Sequence, residues 1–392
     1  MISFFFLFSE KISLERFDWI LNCLSNFNLH NRRELNSINF FITGEAIYTL
    51  VDARYQKYWI QAISRLDVKC YVDSHEMQII GIKQSDINKA LTDKIIFLKI
   101  KDKLEFWKVF LEKNRDIKTK LVLGFIQFNG PYMHRNSVYS CNALEAAIYK
   151  GMKPELYAYL DGLHVGHRDQ KPSAFLNVGQ KLITLTENAK VKGLEFLMLG
   201  CSRCGKARGY AKVKQDESYY YSGDTIPSFY LCNLNEIVRR FEENHLIISP
   251  FFGGIQQDNN KELDYQASPP ILIFITHGPY AYEWTFGGLS FAMACANHDI
   301  KTRVVFIEDG VYSLAGDQQF LQDEKIFNIQ EMLNGISDIE DLYFYAYSPS
   351  LKMRNSSISS SIENIKTINA KELSELIRNT MKSTYHTRIM FF

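Results

Sequence analysis

The chain has 392 residues, of which 46% are hydrophobic and 23% are charged. This is the composition of a folded globular protein, and the length is enough for two or three domains. Its 45 basic and 44 acidic side chains leave a net charge of +1, so the overall charge draws the protein neither to nucleic acid nor to an anionic membrane. We therefore expect no direct contact with either.

The amino terminus opens with an apolar run over residues 1–8. No basic residues precede this run, and Glu10 and Lys11 soon follow it, which is not typical of a signal peptide. No other run approaches the roughly 18 apolar residues of a membrane-spanning helix. Seven widely spread cysteines, an odd number, do not indicate a disulfide framework. The sequence predicts a cytoplasmic protein whose first strand is this apolar run.

Short apolar runs alternate with helical patterns from the amino terminus onward. In residues 1–115 the predicted strands are Ile2–Phe8, Ile38–Thr43, Val68–Val72 and Ile95–Ile100, and the predicted helices are Leu14–Leu24 and Leu104–Leu111. Strands this apolar are buried on both faces, which is typical of parallel sheets covered by helices. The pattern favours an α/β architecture.

The same order recurs twice further along the chain. The next predicted strands are Leu121–Asn129, Glu155–Leu160 and Leu194–Gly200 with the helix Cys141–Gly151, and then Ile271–His277, Arg303–Ile307, Leu342–Ala346 and Arg388–Phe392 with the helix Gly287–Asn297. In both copies Gly-Pro-Tyr follows the first strand. An aspartate, Asp161 or Asp309, follows the second strand, 31 positions after that glycine. We interpret the chain as three tandem copies of one unit.

The copies divide the chain into an N-terminal segment (residues 1–115), a middle segment (119–253) and a C-terminal segment (270–392). Residues 254–269 are predicted to be a linker, because Gly253-Gly254 and Pro269-Pro270 bracket a polar stretch. Each segment is predicted to be an α/β domain of flavodoxin-like or Rossmann-like type, with a mainly parallel sheet flanked by helices.

A pair of cysteines marks the candidate site. Cys201 follows the third strand of the middle segment, and Cys204 stands three positions later at the predicted start of a helix. The positive end of that helix and the basic residues Arg203, Lys206 and Arg208 favour a thiolate. We therefore expect Cys201 to be an exposed nucleophile at the carboxyl edge of the sheet. Cys204 has three open interpretations: a resolving thiol, an acceptor of sulfur, or a packing residue.

Other residues near this edge are weaker candidates. The positions that correspond to Cys201 in the other segments are Asp73 and Tyr347, which cannot carry reactive sulfur. His164 lies on the loop after the second strand of the middle segment, at the same predicted edge. It is either a group that orients or deprotonates an incoming thiol or a solvated loop histidine. A zinc site of both cysteines with His164 and His167 is a minor alternative; we predict no metal and no cofactor.

This arrangement resembles the DsrE/DsrF/DsrH family of sulfur-relay proteins, which includes the TusD, TusC and TusB subunits of tRNA thiolation. In that family the active cysteine follows a strand and precedes an Arg-Gly pair by seven residues, as Cys201 precedes Arg208-Gly209. The middle segment resembles TusD/DsrE. The C-terminal segment resembles TusC/DsrF through Gly278-Pro279-Tyr280 and Asp309-Gly310-Val311-Tyr312, and the N-terminal segment resembles TusB/DsrH. The resemblance implies a natural fusion of three subunits, each a DsrE-like domain.

The resemblance also implies an activity and partners. A sulfurtransferase of this kind would receive sulfur from an upstream persulfide donor as a persulfide on Cys201, with Arg208 as the nearest fixed cation. It would pass the sulfur to a thiol of a TusE/DsrC-like acceptor protein, for 2-thiolation of the wobble uridine of tRNA. The assembly implied is a homodimer of pseudo-heterotrimers. A homologous relay of sulfur oxidation fits the same residues.

Two hypotheses from other classes stay open. A non-catalytic scaffold that only binds proteins predicts that Cys201 is buried and has an ordinary pKa. A dithiol oxidoreductase predicts a reversible disulfide between Cys201 and Cys204, with electrons rather than sulfur exchanged.

Overall fold

Strands and helices alternate along the described chain. The computed structural model describes residues 2–31, 35–99, 102–114, 122–210, 213–216, 219–243, 245–257, 268–280, 282–318, 327–381 and 386–392. Within these ranges, none of the helices combines the length and the apolar character needed to span a bilayer.

The bounds of the elements are as follows. The strands are β1 (Ile2–Phe8), β2 (Leu35–Ile42), β3 (Lys69–Val72), β4 (Ile95–Phe97), β5 (Val122–Gln127), β6 (Lys153–Ala158), β7 (Leu197–Cys201), β8 (Val213–Asp216), β9 (Tyr219–Ser222), β10 (Phe229–Cys232), β11 (Leu246–Ile248), β12 (Phe251–Gln257), β13 (Ile271–Ile275), β14 (Thr302–Phe306), β15 (Leu342–Tyr347), β16 (Ile365–Ile368) and β17 (His386–Phe391). The helices are α1 (Leu14–Asn31), α2 (Tyr48–Val51), α3 (Gln56–Ile60), α4 (Ser74–Ile79), α5 (Lys89–Thr92), α6 (Glu105–Asn114), α7 (Asn136–Tyr149), α8 (Val178–Val191), α9 (Ser202–Ala207), α10 (Leu234–Glu242), α11 (Trp284–Ala296), α12 (Ile329–Ile336), α13 (Ser348–Met353) and α14 (Ala370–Met381).

The described strands form two sheets. The ten-stranded sheet has the order β16-β15-β14-β13-β17-β12-β1-β2-β3-β4, and the seven-stranded sheet has the order β11-β5-β6-β7-β10-β9-β8. Most neighbouring strands are parallel. The exceptions are β12, which is antiparallel to both of its neighbours, and the antiparallel run β8-β9-β10. The prediction of a mixed α/β fold with mainly parallel sheets flanked by helices is confirmed.

The larger sheet contains strands of both the N-terminal and the C-terminal segment, whereas we expected one sheet for each segment. Strand β12 joins them, because it pairs with β1 on one side and with β17 on the other. The first residues of the predicted linker, 254–257, lie in this strand, and residues 258–267 of that linker are outside the described residues. A Cβ atom on Gly253 would lie 3.0 Å from side-chain atoms of Phe6 and Ile389. The glycines that we interpreted as a break are therefore positions of close packing within the sheet.

The smaller sheet belongs to the middle segment and is wider than predicted. Strand β10 adds to the predicted strands and lies parallel to β7, so the two strands end side by side. One cluster of buried side chains contains residues of this sheet, such as Leu199 and Cys201, together with Leu289 of α11 and Ile273 of β13. The middle and C-terminal segments are thus packed against each other beside the ends of β7 and β10.

Candidate functional site

A cavity of about 360 Å³ lies at the carboxyl ends of β7 and β10 and is bordered by α11. In open α/β sheets this edge is where ligands bind, because the loops after the strands leave a crevice there. The lining residues of the middle segment include Cys201, Ser202, Arg203, Cys204, Arg208, Asn233 and Asn235, and those of the C-terminal segment include Glu283, Phe286, Ser290, Met293 and Asn297.

Cys201 is the last residue of β7 and caps the amino end of α9. Its side chain lines the cavity, but the residue is only 2% exposed. The prediction that Cys201 is exposed at the rim of the sheet is therefore wrong. The reason is tertiary: β7 lies inside its sheet, between β6 and β10, and α11 borders the cavity, where Tyr159 donates a hydrogen bond of 3.0 Å to the backbone carbonyl of Gly287.

The pKa of Cys201 is lowered from its ordinary value of 9.0 to about 7. The largest cause is a hydrogen bond from the thiol of Cys204, which stabilises the thiolate. Burial acts in the opposite direction, and the backbone N–H groups of Cys204 and Arg203 and the charge of Arg203 add to the lowering. Helix α9 has only six residues, so these specific neighbours, rather than a long helix dipole, explain the shift.

Cys204 is the protonated partner of the pair. Its pKa is raised, first because its thiol donates a hydrogen bond to Cys201, and second because it is buried. It lines the same cavity and is 8% exposed. The pair therefore combines one thiol that favours the anion with one that keeps its proton, and none of the seven cysteines is in a disulfide.

Arg208 forms ion pairs with two carboxylates, whereas we expected it to be the nearest fixed cation to Cys201. Its Nε atom lies 2.7 Å from Asp161 and its Nη2 atom 2.5 Å from Glu283, which belongs to the C-terminal segment. Two carboxylates therefore engage this guanidinium, and it links the segments at the wall of the cavity. The cation that contributes to the lowered pKa of Cys201 is Arg203 instead. The guanidinium of Arg203 lies 4.8 Å from the ring centroid of Phe286.

His164 is not among the residues that line the cavity. Its Nδ1 atom lies 3.1 Å from the hydroxyl oxygen of Tyr210, and burial lowers the pKa of its imidazole. The ring of His167 also packs against Tyr210. The structure thus places both histidines beside Tyr210 and brings neither into the cavity with Cys201. Among the described residues there is no group of three or more histidine, cysteine or acidic side chains suited to a metal ion.

Sequence reasoning missed the contribution of β10. Cys232 ends this strand and is paired in register with Cys201. The next residue, Asn233, lines the cavity, and its Oδ1 atom accepts a hydrogen bond of 3.5 Å from Ser202. A signal was present: the apolar run Phe229–Cys232 followed by Asn233 is typical of a strand that ends at a helix cap.

Ion pairs join the segments at three places that correspond in the predicted repeat. Each links the residues that follow the third strand of one segment to the first turn or cap of the first long helix of another. The pairs are Arg208 with Glu283, Arg354 with Glu15, and Glu76 with Arg135.

The fold and the site together define an α/β protein with a buried cysteine pair at the carboxyl edge of a mainly parallel sheet. Residues 270–382, in the C-terminal segment, match the model of the DsrE/DsrF-like family, a family associated with sulfur relay. The solved structure of the YchN protein from E. coli is similar to part of the chain, with 21% sequence identity over 32% of this chain and 99% of that one and a TM-score of 0.27. No curated protein matches the chain.

Proposed function

We propose that the protein is a sulfurtransferase that carries sulfur as a persulfide on Cys201. The observation that carries the proposal is the cysteine pair at the cavity, in which Cys204 keeps its proton and lowers the pKa of Cys201 to about 7. A thiolate is the form of cysteine that attacks sulfur, and a pKa near the ambient pH gives the best balance of anion population and nucleophilicity.

The proposed chemistry consists of two exchanges of sulfur. The Cys201 thiolate attacks the terminal sulfur of a donor persulfide, and the donor sulfur–sulfur bond breaks to leave a donor thiolate. An acceptor thiolate then attacks the terminal sulfur on Cys201, and Cys201 leaves as a thiolate again. No electrons are exchanged with an outside reagent, so neither step needs a cofactor.

The cavity supports both exchanges. It has a volume of about 360 Å³, whereas one water takes about 30 Å³ in the liquid, so an added sulfur and the end of a polypeptide can fit. The terminal sulfur of a persulfide is anionic at neutral pH. The Cys204 thiol and the charge of Arg203, which favour an anion on Cys201, would stabilise it as well.

We further propose that the three segments, residues 1–115, 119–253 and 270–392, are tandem DsrE-like domains. The ion pairs between segments support this, because they recur at corresponding positions of the sequence repeat. Asp73 and Tyr347 stand where the middle segment has Cys201. The N-terminal and C-terminal segments would therefore complete the assembly without carrying sulfur.

The proposed biological setting follows the family resemblance. An upstream persulfide donor would load Cys201, and a TusE/DsrC-like protein would accept the sulfur for 2-thiolation of tRNA, with two copies of the chain forming a homodimer. A relay of sulfur oxidation is the alternative. We propose a cytoplasmic location, because all seven cysteines are free thiols, the state that a reducing compartment maintains.

Incubation of the full chain with a cysteine desulfurase and radiolabelled cysteine tests the proposal. We expect the peptide that contains Cys201 to gain the mass of one sulfur atom, and Cys201→Ser to abolish the gain. Cys141→Ser is the matched control, since Cys141 is a buried thiol of the same segment and its loss should leave the labelling unchanged. Equal labelling of the Cys201→Ser protein would remove the proposal.

A dithiol oxidoreductase is the second candidate, because the contact between Cys201 and Cys204 also suits an internal disulfide. In that case equilibration with a glutathione redox buffer would oxidise the pair reversibly, and the desulfurase would leave no stable sulfur on Cys201. A scaffold that only binds proteins predicts that Cys201 is buried and has an ordinary pKa. Cys201 is buried, but its lowered pKa argues against the scaffold.

A further inference from the structure

Cys232 lies beside Cys201 on the neighbouring strand. Strands β7 and β10 are parallel, and their register pairs Cys232 with Cys201. Residues paired in this way project from the same face of a sheet. Both cysteines belong to the buried cluster that also contains Cys204. Three thiols therefore converge where β7 and β10 end.

The spacing of the strands brings Cys201 and Cys232 within reach of a disulfide. Neighbouring strands lie about 4.8 Å apart, and the Cα atoms of disulfide-bonded cysteines are usually about 4.4 to 6.8 Å apart. The two groups also interact electrostatically: burial is the first cause that raises the pKa of Cys232, and the charge of Cys201 is the second.

We propose that Cys232 is a resolving thiol that discharges sulfur from Cys201 when no acceptor removes it. The inference rests on the persulfide carrier proposed above. The sulfur of Cys232 attacks the Sγ atom of Cys201, and a disulfide forms between the two residues. The bond from Cys201 to the terminal sulfur breaks at the same time.

The step balances without an outside reagent. The electron pair of the broken bond leaves with the terminal sulfur, which takes the proton of Cys232 and departs as hydrogen sulfide. The sulfur of Cys232 is oxidised, the Sγ atom of Cys201 keeps its oxidation state, and the terminal sulfur is reduced to sulfide. A cellular thiol would then reduce the disulfide and restore the carrier.

The position of Cys232 makes this discharge slower than transfer to a partner. Cys232 is fully buried and does not line the cavity. An incoming thiol can therefore reach the terminal sulfur on Cys201 from the cavity without contacting Cys232. Its raised pKa keeps it protonated, and a thiol attacks far more slowly than a thiolate. A loaded carrier would thus keep its sulfur long enough to meet an acceptor and lose it afterwards. Cys204, on the cavity side, remains the hydrogen-bond donor.

The test loads the full chain with glutathione persulfide, without an acceptor, and follows hydrogen sulfide release and the masses of linked peptides. We expect the wild-type protein to release hydrogen sulfide and to yield a peptide in which Cys201 is joined to Cys232. Cys232→Ala should keep the persulfide about tenfold longer, since the neighbouring thiol gives the step its proximity advantage. Cys295→Ala is the matched control, a fully buried cysteine in α11, and should behave as wild type.

Two outcomes would overturn the proposal: an unchanged release rate in Cys232→Ala, or a linked peptide that joins Cys201 to Cys204. The peptide map of the wild-type protein gives this answer even where the variant fails to fold. If neither the wild-type protein nor either variant gains a persulfide on Cys201, the sulfurtransferase proposal itself is refuted. The thiol oxidant diamide then tests Cys232 separately, because it should still link Cys201 to Cys232, and failure of that link would refute the resolving role.

Discussion

Cys204→Ala removes the hydrogen-bond donor that contributes most to the lowered pKa of Cys201. Burial, the largest opposing effect, remains in the variant, and so do the backbone N–H groups and the charge of Arg203. We expect the pKa of Cys201 to rise from about 7 towards its ordinary value of 9.0. The variant makes the contribution of one thiol to another measurable.

The magnitude follows from the two pKa values. At pH 7 about half of Cys201 is thiolate in the wild type, and a full return of the pKa to 9.0 would leave about one-hundredth, a loss of roughly fiftyfold. A thiolate of higher pKa is intrinsically more nucleophilic, and a Brønsted coefficient of about 0.4 to 0.5 over about two units returns roughly six- to tenfold. The variant should therefore react more slowly at pH 7, by up to about five- to eightfold, and faster than the wild type above about pH 9.

The assay is the rate of labelling of Cys201 by methyl methanethiosulfonate, a reagent small enough for the cavity, from about pH 5 to about pH 10. Mass spectrometry of the Cys201 peptide separates this cysteine from the other six. Cys141→Ala serves as control and should reproduce the wild-type profile. A profile of Cys204→Ala whose midpoint coincides with that of the wild type would refute the proposed hydrogen bond and its effect on Cys201.

Three further predictions concern the surroundings of the site. Arg203→Met should raise the pKa of Cys201 by less than loss of the Cys204 thiol does, because its charge is a smaller cause, and Arg203→Lys should largely retain the wild-type labelling profile. Burial raises the pKa of Asp73 from 3.8 to about 6. The carboxyl group therefore loses its proton at lower pH in the unfolded state than in the folded state, and the free energy of unfolding falls as the pH rises between these two pKa values, by at most about 3 kcal/mol. Urea denaturation at pH 4 and pH 6 should show this fall in the wild-type protein and not in Asp73→Asn, and the same fall in both proteins would contradict the prediction. Glu76→Gln should lower the free energy of unfolding by about 1–3 kcal/mol, and Glu283→Gln by at most about 1 kcal/mol. The reason is that the side chain of Glu76 is 3% exposed and that of Glu283 is 59% exposed. Equal losses of free energy in urea denaturation would show that burial does not determine the difference.

The local part of the site could be predicted from the sequence. An apolar run that ends in Gly200 and continues into Cys201 predicts a buried strand followed by a turn, and β7 and α9 have these positions. The spacing of Cys201 and Cys204 predicts that the two thiols lie on one turn of a helix, and their hydrogen bond requires this proximity. Such predictions succeed because they depend on residues a few positions apart.

The rest depends on contacts between distant parts of the chain. Cys201 is buried at the end of a strand that lies between β6 and β10, and a partner of Arg208 is Glu283, 75 positions further along the chain. The pairing of β7 with β10 follows the intervening β8 and β9, so that Cys232 meets Cys201 across 31 positions of sequence. A periodicity of apolar residues predicts that a strand exists, but it does not predict which strand or helix becomes its neighbour.

In the proposed tandem arrangement, the three corresponding ion pairs form a closed ring. The middle segment contacts the C-terminal segment, the C-terminal segment contacts the N-terminal segment, and the N-terminal segment contacts the middle segment. The charge need not be the same for the contact to recur: an acid, Glu15 or Glu283, stands at the start of the first long helix in two pairs, whereas Arg135 stands there in the third pair and Glu76 supplies the acid. The ring therefore depends on the position of the helices rather than on one kind of side chain.

The same ring explains why the cavity lies beside Cys201. Four positions after each helix-end charge stand Gly287, Trp19 and Tyr139 in the three segments. Gly287 has no side chain, and a Cβ atom there would already lie 3.0 Å from Leu160. The other two positions hold large rings, and both donate hydrogen bonds to buried glutamates of the adjoining segment. A tyrosine or tryptophan at position 287 would push α11 away from the ends of β7 and β10. The small residue at this contact thus lets the C-terminal segment approach the cavity beside Cys201. Closure by itself raises the pKa of Cys201, because burial disfavours the thiolate. The Cys204 thiol and the charge of Arg203 therefore lower this pKa against the effect of the closure.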